Sequence, residues 1–218
     1  MIKQKTINKN NINYDIIPIF PLPIYKTNIE REFTKEEQDE FDVIISDQSI
    51  KAEARVEVEK IISIDKYVLN RKTFLSIHSF IQLHLKEFVA TVLGIDIRKT
   101  NWSPHITMSW LNAYKPNHYD PFHNHHNCII SGVLYINCLK NLAPGKSDGI
   151  VFQNLSHNML EDLGCRTAVV EDTLFTDKPY QVHTIEGDLV LYPSTTMHAV
   201  IHNETFDQTR ISLAFDVI

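Results

Sequence analysis

The chain has 218 residues, of which 43% are hydrophobic and 22% are charged, and its formal net charge is −6. This is enough apolar material for one ordinary globular domain with a substantial core. The acidic balance offers no broad phosphate-binding surface, so nucleic acid is not favoured as a partner.

The N-terminal hundred residues carry the patterns of one extended segment and two helices. Residues 16–29 are apolar but contain three prolines, which is typical of an edge strand. Thr34 and Glu37 form a capping box in front of a short helix. Apolar residues recur at helical spacing through residues 71–93, and Gly94 is expected to end this second helix as its C-cap.

From about residue 100 the pattern changes to short strands. The runs are rich in β-branched and aromatic residues and are separated by Pro, Gly, Asn and Asp. Seven such runs follow one another: HITMSWLNAY, CIISGVLYINCL, GIVFQN, YQVHTI, DLVLYPS, HAVIHN and RISLAFDVI. Helices followed by a series of strands predict an α+β protein whose second half is a sandwich or barrel.

No repeat, low-complexity tract or linker divides the chain. We therefore expect a single domain over residues 1–218. Within it we expect a loose arm at 1–14, a strand with supporting helices over 15–99, and the core of strands over 100–218.

The cysteines and the apolar runs indicate the setting of the protein. Cys128, Cys138 and Cys165 show no CxxC spacing, so they predict neither a disulfide framework nor a zinc ribbon. A reducing, cytoplasmic environment is the simplest fit. The first residues lack the apolar core of a signal peptide, and no apolar run is long enough to cross a membrane.

Histidines concentrate in HYDPFHNHHNC (118–128), directly before a run of the buried-strand type. His123 and His125 are two residues apart, so on a strand both would point to the same face. Such a pair also occurs by chance. For this segment alone, a solvated polar loop and a metal site are about equally good interpretations.

A second group of candidate residues lies near the C-terminus. His198 begins a predicted strand, and Arg210 opens the last strand with Ser212 on the same face. An arginine in an apolar strand either extends its head group to the surface or binds a carboxylate through two hydrogen bonds. Two histidines on one strand and a third on a distant strand can form three facial ligands with open positions, as a non-haem iron site requires.

Taken together, these motifs resemble the Fe(II)/2-oxoglutarate-dependent oxygenases, and most closely a group of them found in marine phages and bacteria. The resemblance covers the chain from about residue 16 and is weakest over 30–100. It is carried by IFPLPIY (19–25), SWLNAYKPNHYDPFHNHHNCIISGVLYIN (109–137), GDLVLYPSTTMHAV (187–200) and RISLAF (210–215). It implies a double-stranded β-helix (jelly-roll, cupin-like) core with supporting N-terminal helices, and a hydroxylase that uses Fe(II) as cofactor and 2-oxoglutarate as co-substrate.

The same resemblance implies the metal ligands. Related prolyl-hydroxylase-like enzymes carry Tyr-x-x-Gly followed by His-x-Asp, which is matched here by residues 114–117 and by His123-Asn124-His125. In this register Asn117 stands where the family has a glycine, and asparagine also tolerates a left-handed turn. The implied ligands are therefore His123, His125 and, on the distant strand, His198.

The resemblance further implies the residues that hold 2-oxoglutarate. Arg210 matches the residue that forms a salt bridge to the far carboxylate of the co-substrate, and Ser212 is its helper. Tyr135 matches a tyrosine that hydrogen-bonds the same carboxylate. Tyr114 is a further candidate for this pocket.

One ligand position departs from the usual pattern. Most of the superfamily has a carboxylate as second ligand, where this sequence has His125. A rival register, residues 118–120, is literally His-x-Asp, but it lies too close to Tyr114 and too far from the SGVLYI strand. In the preferred register we expect Asp120 to be a turn residue or to orient a ligand histidine, and His126 to point away from His125.

Two other functions stay open. A cupin-like three-His dioxygenase that does not use 2-oxoglutarate fits the histidines, although it has no general need for Arg210 and Tyr135. A non-catalytic jelly-roll protein with a binding or structural role would keep the fold without turnover. The sequence does not choose between a small molecule, a protein side chain and a nucleobase as substrate. The sequence is also compatible with a homo-oligomer. If the protein is encoded by a phage, we expect it in the cytoplasm of the host.

Overall fold

Two antiparallel sheets and two helices make up the part of the chain that the structure, a computed structural model, describes. This part comprises residues 22–46, 60–116, 118–138, 149–154, 179–201 and 208–218. The helices are α1 (Lys35–Ser46) and α2 (Leu75–Thr91). The strands are β1 (Tyr25–Asn28), β2 (Lys60–Ile62), β3 (Ile106–Tyr114), β4 (Asp120–His123), β5 (Ile130–Asn137), β6 (Gly149–Phe152), β7 (Tyr180–His183), β8 (Asp188–Pro193), β9 (His198–Val200) and β10 (Arg210–Val217). The predicted arm at 1–14 lies outside the described residues.

The strands form two layers of the double-stranded β-helix kind. The larger sheet has the order β1-β8-β5-β10-β3-β2 and the smaller one the order β4-β9-β6-β7, and every pair of neighbouring strands is antiparallel. The α+β class and the jelly-roll core that the sequence predicts are therefore confirmed. Strand β1, from the proline-containing segment, lies at an edge as expected.

Alternation along the strands shows how the layers are held together. On β8, Leu189 and Leu191 belong to the apolar core that contains the helices, whereas Val190 and Tyr192 belong to the core between the two sheets. Successive side chains of a strand point to opposite faces, so this strand is buried from both sides. Each fully buried apolar side chain contributes about 1.5–3 kcal/mol.

Both predicted helices are present, and the second begins later than expected. The Thr34–Glu37 capping box forms before α1, because the Thr34 hydroxyl accepts from the Glu37 backbone N–H and the Glu37 carboxylate accepts from the Thr34 backbone N–H. Residues 72–74 are a 3₁₀ turn, so α2 starts at Leu75. Gly94 follows with φ +67°, the left-handed conformation of a C-cap. Neither helix in the described part of the chain is long and apolar enough to span a membrane.

All seven predicted strands are confirmed, and two short strands were not foreseen. Strand β2 pairs with β3, and β4 pairs with β9. Strand β4 ends at His123, so the prediction that His123 and His125 share one strand is wrong. The backbone N–H of His125 donates to the carbonyl oxygen of Ser194, and not to a neighbouring strand of the smaller sheet.

Candidate functional site

The three histidines singled out from the sequence meet in the folded chain. His123, at the end of β4, is the register partner of His198 at the start of β9. His125 follows two residues after His123. One ring nitrogen from each residue lies within 4.8 Å of the others, which is close enough for the three to bind one metal ion together. The convergence depends on the β4–β9 pairing, since nothing local to either segment brings them together.

Hydrogen bonds at Nδ1 determine which nitrogen of each ring is free to bind a metal. The Nδ1 of His123 is 2.8 Å from the carbonyl oxygen of Pro121, and the Nδ1 of His198 is 2.9 Å from that of Thr196. The Nδ1 of His125 is 2.7 Å from Oδ1 of Asp216. Every partner is an acceptor, so each Nδ1 carries a proton and Nε2 is the nitrogen that could bind a metal.

Burial keeps the His198 imidazole neutral. The residue is 3% exposed, and burial lowers the pKa of His198 from its ordinary 6.5 to about 4. The neighbouring His123 and His125 act in the same direction, although the hydrogen bond to Thr196 opposes them. The hydroxyl of Tyr192 donates to Nε2 of His198 at 3.1 Å, so a metal bound at that nitrogen would replace this hydrogen bond.

His125 is fixed by contacts on several sides. Its ring stacks on the indole of Trp110, with a centroid distance of 5.9 Å and an interplanar angle of 25°. Asp216, which was not among the predicted residues, holds its Nδ1, and the Asp216 carboxylate also accepts from the Ser131 hydroxyl at 2.9 Å. Burial would raise the pKa of Asp216, but the hydrogen bonds from His125 and Ser131 hold it below its usual value.

A second group that could bind a metal consists of His125, Cys128 and Asp216. It shares both His125 and Asp216 with the arrangement just described. Burial raises the pKa of the Cys128 thiol, and the nearby Asp216 carboxylate adds to this effect. A neutral thiol is a poor metal ligand. The short distances within this group are therefore better explained by the hydrogen bond between His125 and Asp216 than by a metal site.

The histidines line a pocket of about 420 Å³ that continues inward to Arg210. Arg210 is 1% exposed, so its side chain does not extend to the surface. Its guanidinium carbon lies 5.1 Å from the centre of the Tyr114 ring.

The polar residues near Arg210 come from neighbouring strands at matching heights. Ser212 is the register partner of Tyr135 on one side and of Asn112 on the other, and all three line the pocket. The Asn112 side chain is 7% exposed, and its Oδ1 has no hydrogen-bond partner among the described residues. The predicted residues Tyr114, Tyr135, Arg210 and Ser212 are therefore brought together, and Asn112 is a polar group that the sequence reasoning missed.

Asp120 has a different place from the one expected. It lies on strand β4, where its Oδ2 accepts from the Tyr114 hydroxyl at 2.7 Å and from the Lys60 ammonium at 2.5 Å. Burial raises the pKa of this carboxyl, but Lys60 and the Tyr114 hydrogen bond outweigh it and hold the pKa of Asp120 low. The prediction that Asp120 is a turn residue or orients a ligand histidine is wrong, because its carboxylate is engaged by Lys60 and Tyr114.

The two remaining histidines of the cluster lie apart from the metal-binding group. His118 is 4% exposed and packs against the Tyr114 ring at a centroid distance of 5.0 Å. His126 is exposed at the edge of the pocket. Asn117, the residue expected in a left-handed turn, lies outside the described residues.

The residues present fit both a metal ion and a dicarboxylate. One ring nitrogen from each of three imidazoles converges in one half-buried cluster, which is a donor set suited to a divalent transition metal with open positions. The buried guanidinium deeper in the same pocket suits a carboxylate. A molecule that chelates the metal at one end and carries a carboxylate at the other would use both groups.

Comparison with known proteins agrees with this geometry. Residues 108–216 match the family model described as "Putative 2OG-Fe(II) oxygenase". This matched half of the chain contains every residue that the sequence predicted for the site. No curated protein sequence is significantly similar to the chain.

Several solved structures share the fold. A 2OG-Fe(II) oxygenase family oxidoreductase from Burkholderia pseudomallei is 11% identical with a TM-score of 0.53, over 89% of this chain and 83% of its own. A prolyl-4-hydroxylase from Pseudomonas putida is 14% identical with a TM-score of 0.53, over 90% and 92%. The non-heme alpha-ketoglutarate-dependent carbocyclase SnoK of nogalamycin biosynthesis is 12% identical with a TM-score of 0.58, over 90% and 79%. At these identities the likeness is one of fold.

Proposed function

The chain belongs to the family of Fe(II)- and 2-oxoglutarate-dependent oxygenases, and we propose that it is a dioxygenase that hydroxylates a substrate bound at the open end of the pocket. One observation carries this proposal: a single pocket contains the three-imidazole cluster and, deeper in, the buried guanidinium of Arg210. A keto acid that chelates a metal at one end and has a carboxylate at the other requires this combination.

His123, His125 and His198 are the metal ligands in this proposal. Imidazole nitrogen suits Fe(II), and three facial ligands leave positions for the co-substrate and for dioxygen. The hydrogen bonds at each Nδ1 support the assignment, because they orient the rings and make Nε2 the nitrogen available to a metal. The low pKa of His198 has the same effect, since a neutral ring does not have to lose a proton before it binds.

Arg210 is the partner of the far carboxylate of 2-oxoglutarate. Its planar guanidinium can donate two parallel hydrogen bonds, and its burial strengthens the electrostatic attraction. The hydroxyls of Ser212 and Tyr135, at the same height in the pocket, can add hydrogen bonds to this carboxylate. Tyr114 forms one wall beside the guanidinium, and its own hydroxyl is directed to Asp120.

The chemistry that the bound cofactors supply is oxidation of a C–H bond by dioxygen, coupled to conversion of 2-oxoglutarate into succinate and carbon dioxide. The protein's own part is to bind, orient and exclude water. Val133, Ile150 and Val200 contribute apolar wall to the pocket and keep bulk water from its inner half. Trp110 and Met108 line the opposite, more open part, where we place the substrate; its class stays among a small molecule, a protein side chain and a nucleobase.

The test is an anaerobic titration of the metal-free protein with Fe(II) and then with 2-oxoglutarate, followed by visible absorption. A charge-transfer band that appears only when both are present supports the proposal. The band should be lost in His123→Ala, and Arg210→Ala should need far more 2-oxoglutarate to produce it. His183→Ala, on the exposed surface of β7, is the matched control and should behave as wild type.

The second candidate, a three-His dioxygenase without 2-oxoglutarate, is favoured by one observation. The cluster contains three imidazoles and no carboxylate, which is the donor set expected of such cupin-like sites. If Fe(II) binds but 2-oxoglutarate adds no absorption band, this candidate replaces the first. A protein that binds neither would be a non-catalytic jelly roll.

A further inference from the structure

We propose that Asp216 is a positioning residue for the metal site: acting through His125, it fixes the ring and supplies the negative charge that an all-histidine ligand set lacks. This inference rests on the proposed function, because it assumes that His125 binds the metal. It gives a reason why the site can tolerate histidine at the position where most of the superfamily has a carboxylate ligand.

The first support is the geometry of the contact. Oδ1 of Asp216 lies 2.7 Å from Nδ1 of His125, the short distance of a charge-assisted hydrogen bond. Asp216 is 4% exposed, and the His125 side chain is 15% exposed. A carboxylate that accepts from the far nitrogen of a ligand histidine fixes the ring, selects Nε2 as the metal-binding atom and makes that atom more basic.

The second support is that the carboxylate itself is held in place. Asp216 lies on β10, which is paired on one side with β5 and on the other with β3, and its register partners are Ser131 and Met108. The Ser131 hydroxyl donates to the same Oδ1 at 2.9 Å. An irregularity in the β3 pairing follows directly after Asp216. Such irregularities re-aim side chains and are frequent next to functional sites.

The third support is the charge balance. Three neutral imidazoles leave the full double charge of a divalent ion uncompensated, whereas two histidines and a carboxylate remove one unit. The second carboxylate of the pocket, Asp120, is engaged by Lys60 and Tyr114. Among the described residues, Asp216 is the carboxylate that hydrogen-bonds to a histidine of the cluster. The negative charge that a carboxylate ligand would place next to the metal is thus placed behind the His125 ring.

The experiment measures Co(II) affinity by visible absorption, without 2-oxoglutarate and without turnover. In Asp216→Ala we expect affinity to fall about 10–100-fold, the usual cost of losing such a partner. The asparagine of Asp216→Asn can still accept a hydrogen bond from Nδ1 of His125 but carries no charge. The Co(II) affinity of this variant should therefore lie between that of wild type and that of Asp216→Ala. Asp42→Ala, which removes an exposed aspartate of α1 outside the metal-binding groups, is the matched control. Urea denaturation of the metal-free variants separates a loss of affinity from a loss of fold.

A second measurement uses the wild-type protein and does not depend on the folding of any variant. Long-range ¹H–¹⁵N spectra of the metal-free protein report which nitrogen of His125 carries the proton, with the signals assigned by their loss in His125→Gln. The proposal requires the Nδ1–H form. An Nε2–H form would overturn it.

The outcomes distinguish this inference from the proposed function. If wild type binds no Co(II), the proposed function fails and this inference fails with it. If wild type binds Co(II) and Asp216→Ala binds it equally well, Asp216 has no such role, while the proposed function stands. If Asp216→Asn equals wild type, the charge is not what Asp216 contributes, and that part is overturned.

Discussion

Arg210 and Asp216 lie at opposite ends of strand β10, on the same face, and both side chains line one pocket. The strand is held on both sides by β3 and β5, so the backbone fixes the distance between the two groups. One buried strand thus carries the cation proposed for the co-substrate and the carboxylate proposed for the metal site. The predictions for the two ends can therefore be tested separately.

Replacing Arg210 by lysine keeps the positive charge but removes the fork of parallel donors. We expect the affinity for 2-oxoglutarate, measured by calorimetry with Co(II) present, to weaken about 10–100-fold, because one charged hydrogen bond is worth about 1.5–3 kcal/mol. Arg98→Lys, whose side chain is largely exposed, is the control. Equal affinity in wild type and Arg210→Lys would mean that the guanidinium does not bind the co-substrate.

Removing the imidazole of His198 should affect metal binding more than the loss of any outer partner. We expect His198→Ala to bind Co(II) more than about 100-fold more weakly than wild type, since an outer partner alone costs 10–100-fold. Equilibrium dialysis measures the affinity. His183→Ala is the control, because His183 is exposed on β7 and lies outside the cluster. Tight binding by His198→Ala would exclude this residue as a ligand.

Asp120→Asn tests the rival ligand register directly. The carboxylate of Asp120 is bonded to Lys60 and Tyr114 and is absent from the metal-binding groups of the described residues. We therefore expect Co(II) affinity to stay within about threefold of wild type, below the cost of losing even an outer partner. His125→Asn, measured in the same way, should lose most of its affinity. The reverse pattern would establish Asp120 as the ligand.

Gly132 is required by packing and not by backbone conformation. A β-carbon at this position would overlap the ring of Phe215 and a methyl group of Leu191, the residues opposite it on the neighbouring strands. We expect Gly132→Ala to lower the free energy of unfolding by about 1–3 kcal/mol or more, measured by urea denaturation. Gly94→Asn is the control, because no atom lies within 4 Å and asparagine tolerates φ +67°. A neutral Gly132→Ala would mean that the core can rearrange at little cost.

The Glu37 carboxylate should give a pH-dependent contribution to stability. Burial raises the pKa of Glu37, but the two hydrogen bonds from Arg31 and the one from the Thr34 backbone outweigh it, so the pKa is lowered. A folded-state pKa below the unfolded value stabilises the protein above the unfolded pKa, and this contribution is lost as pH falls through the folded pKa. Glu37→Gln should be destabilised by on the order of 1–3 kcal/mol at pH 7.

The measurement compares urea midpoints of wild type and Glu37→Gln at neutral and at acidic pH. The difference between the two proteins should shrink at acidic pH because wild type loses its carboxylate there. Glu36→Gln, an exposed neighbour in the first turn of the same helix, is a control for the charge of α1. A difference of equal size at both pH values would contradict the electrostatic origin.

The strands that the sequence predicted are those whose own composition indicates a strand. All seven are runs rich in β-branched and aromatic residues, and the Pro, Gly, Asn and Asp residues between them mark their limits. Strands β2 (KII) and β4 (DPFH) are short, and β4 contains Pro121. They form because β3 and β9 provide partners, and a local pattern carries no information about a partner far along the chain.

The site residues likewise divide into those with a local sequence signal and those that depend on a distant partner. His123, His198 and Arg210 were singled out because the runs that contain them resemble the motifs of a known family. Asp216 could have been found from alternation, since it continues the face of Arg210 and Ser212 along RISLAFDV. Lys60 could not, because its contact with Asp120 joins residues 60 positions apart with no signal in either segment. The prediction that His123 and His125 share one strand failed because the backbone N–H of His125 donates to Ser194.

The depth of the pocket has a kinetic consequence. Arg210, Tyr114 and Tyr135 are at most 3% exposed, whereas Met108, which lines the same pocket, is 40% exposed. In the proposed arrangement, a co-substrate held by Arg210 would therefore exchange with bulk solvent more slowly than a substrate seated beside Met108 and Trp110.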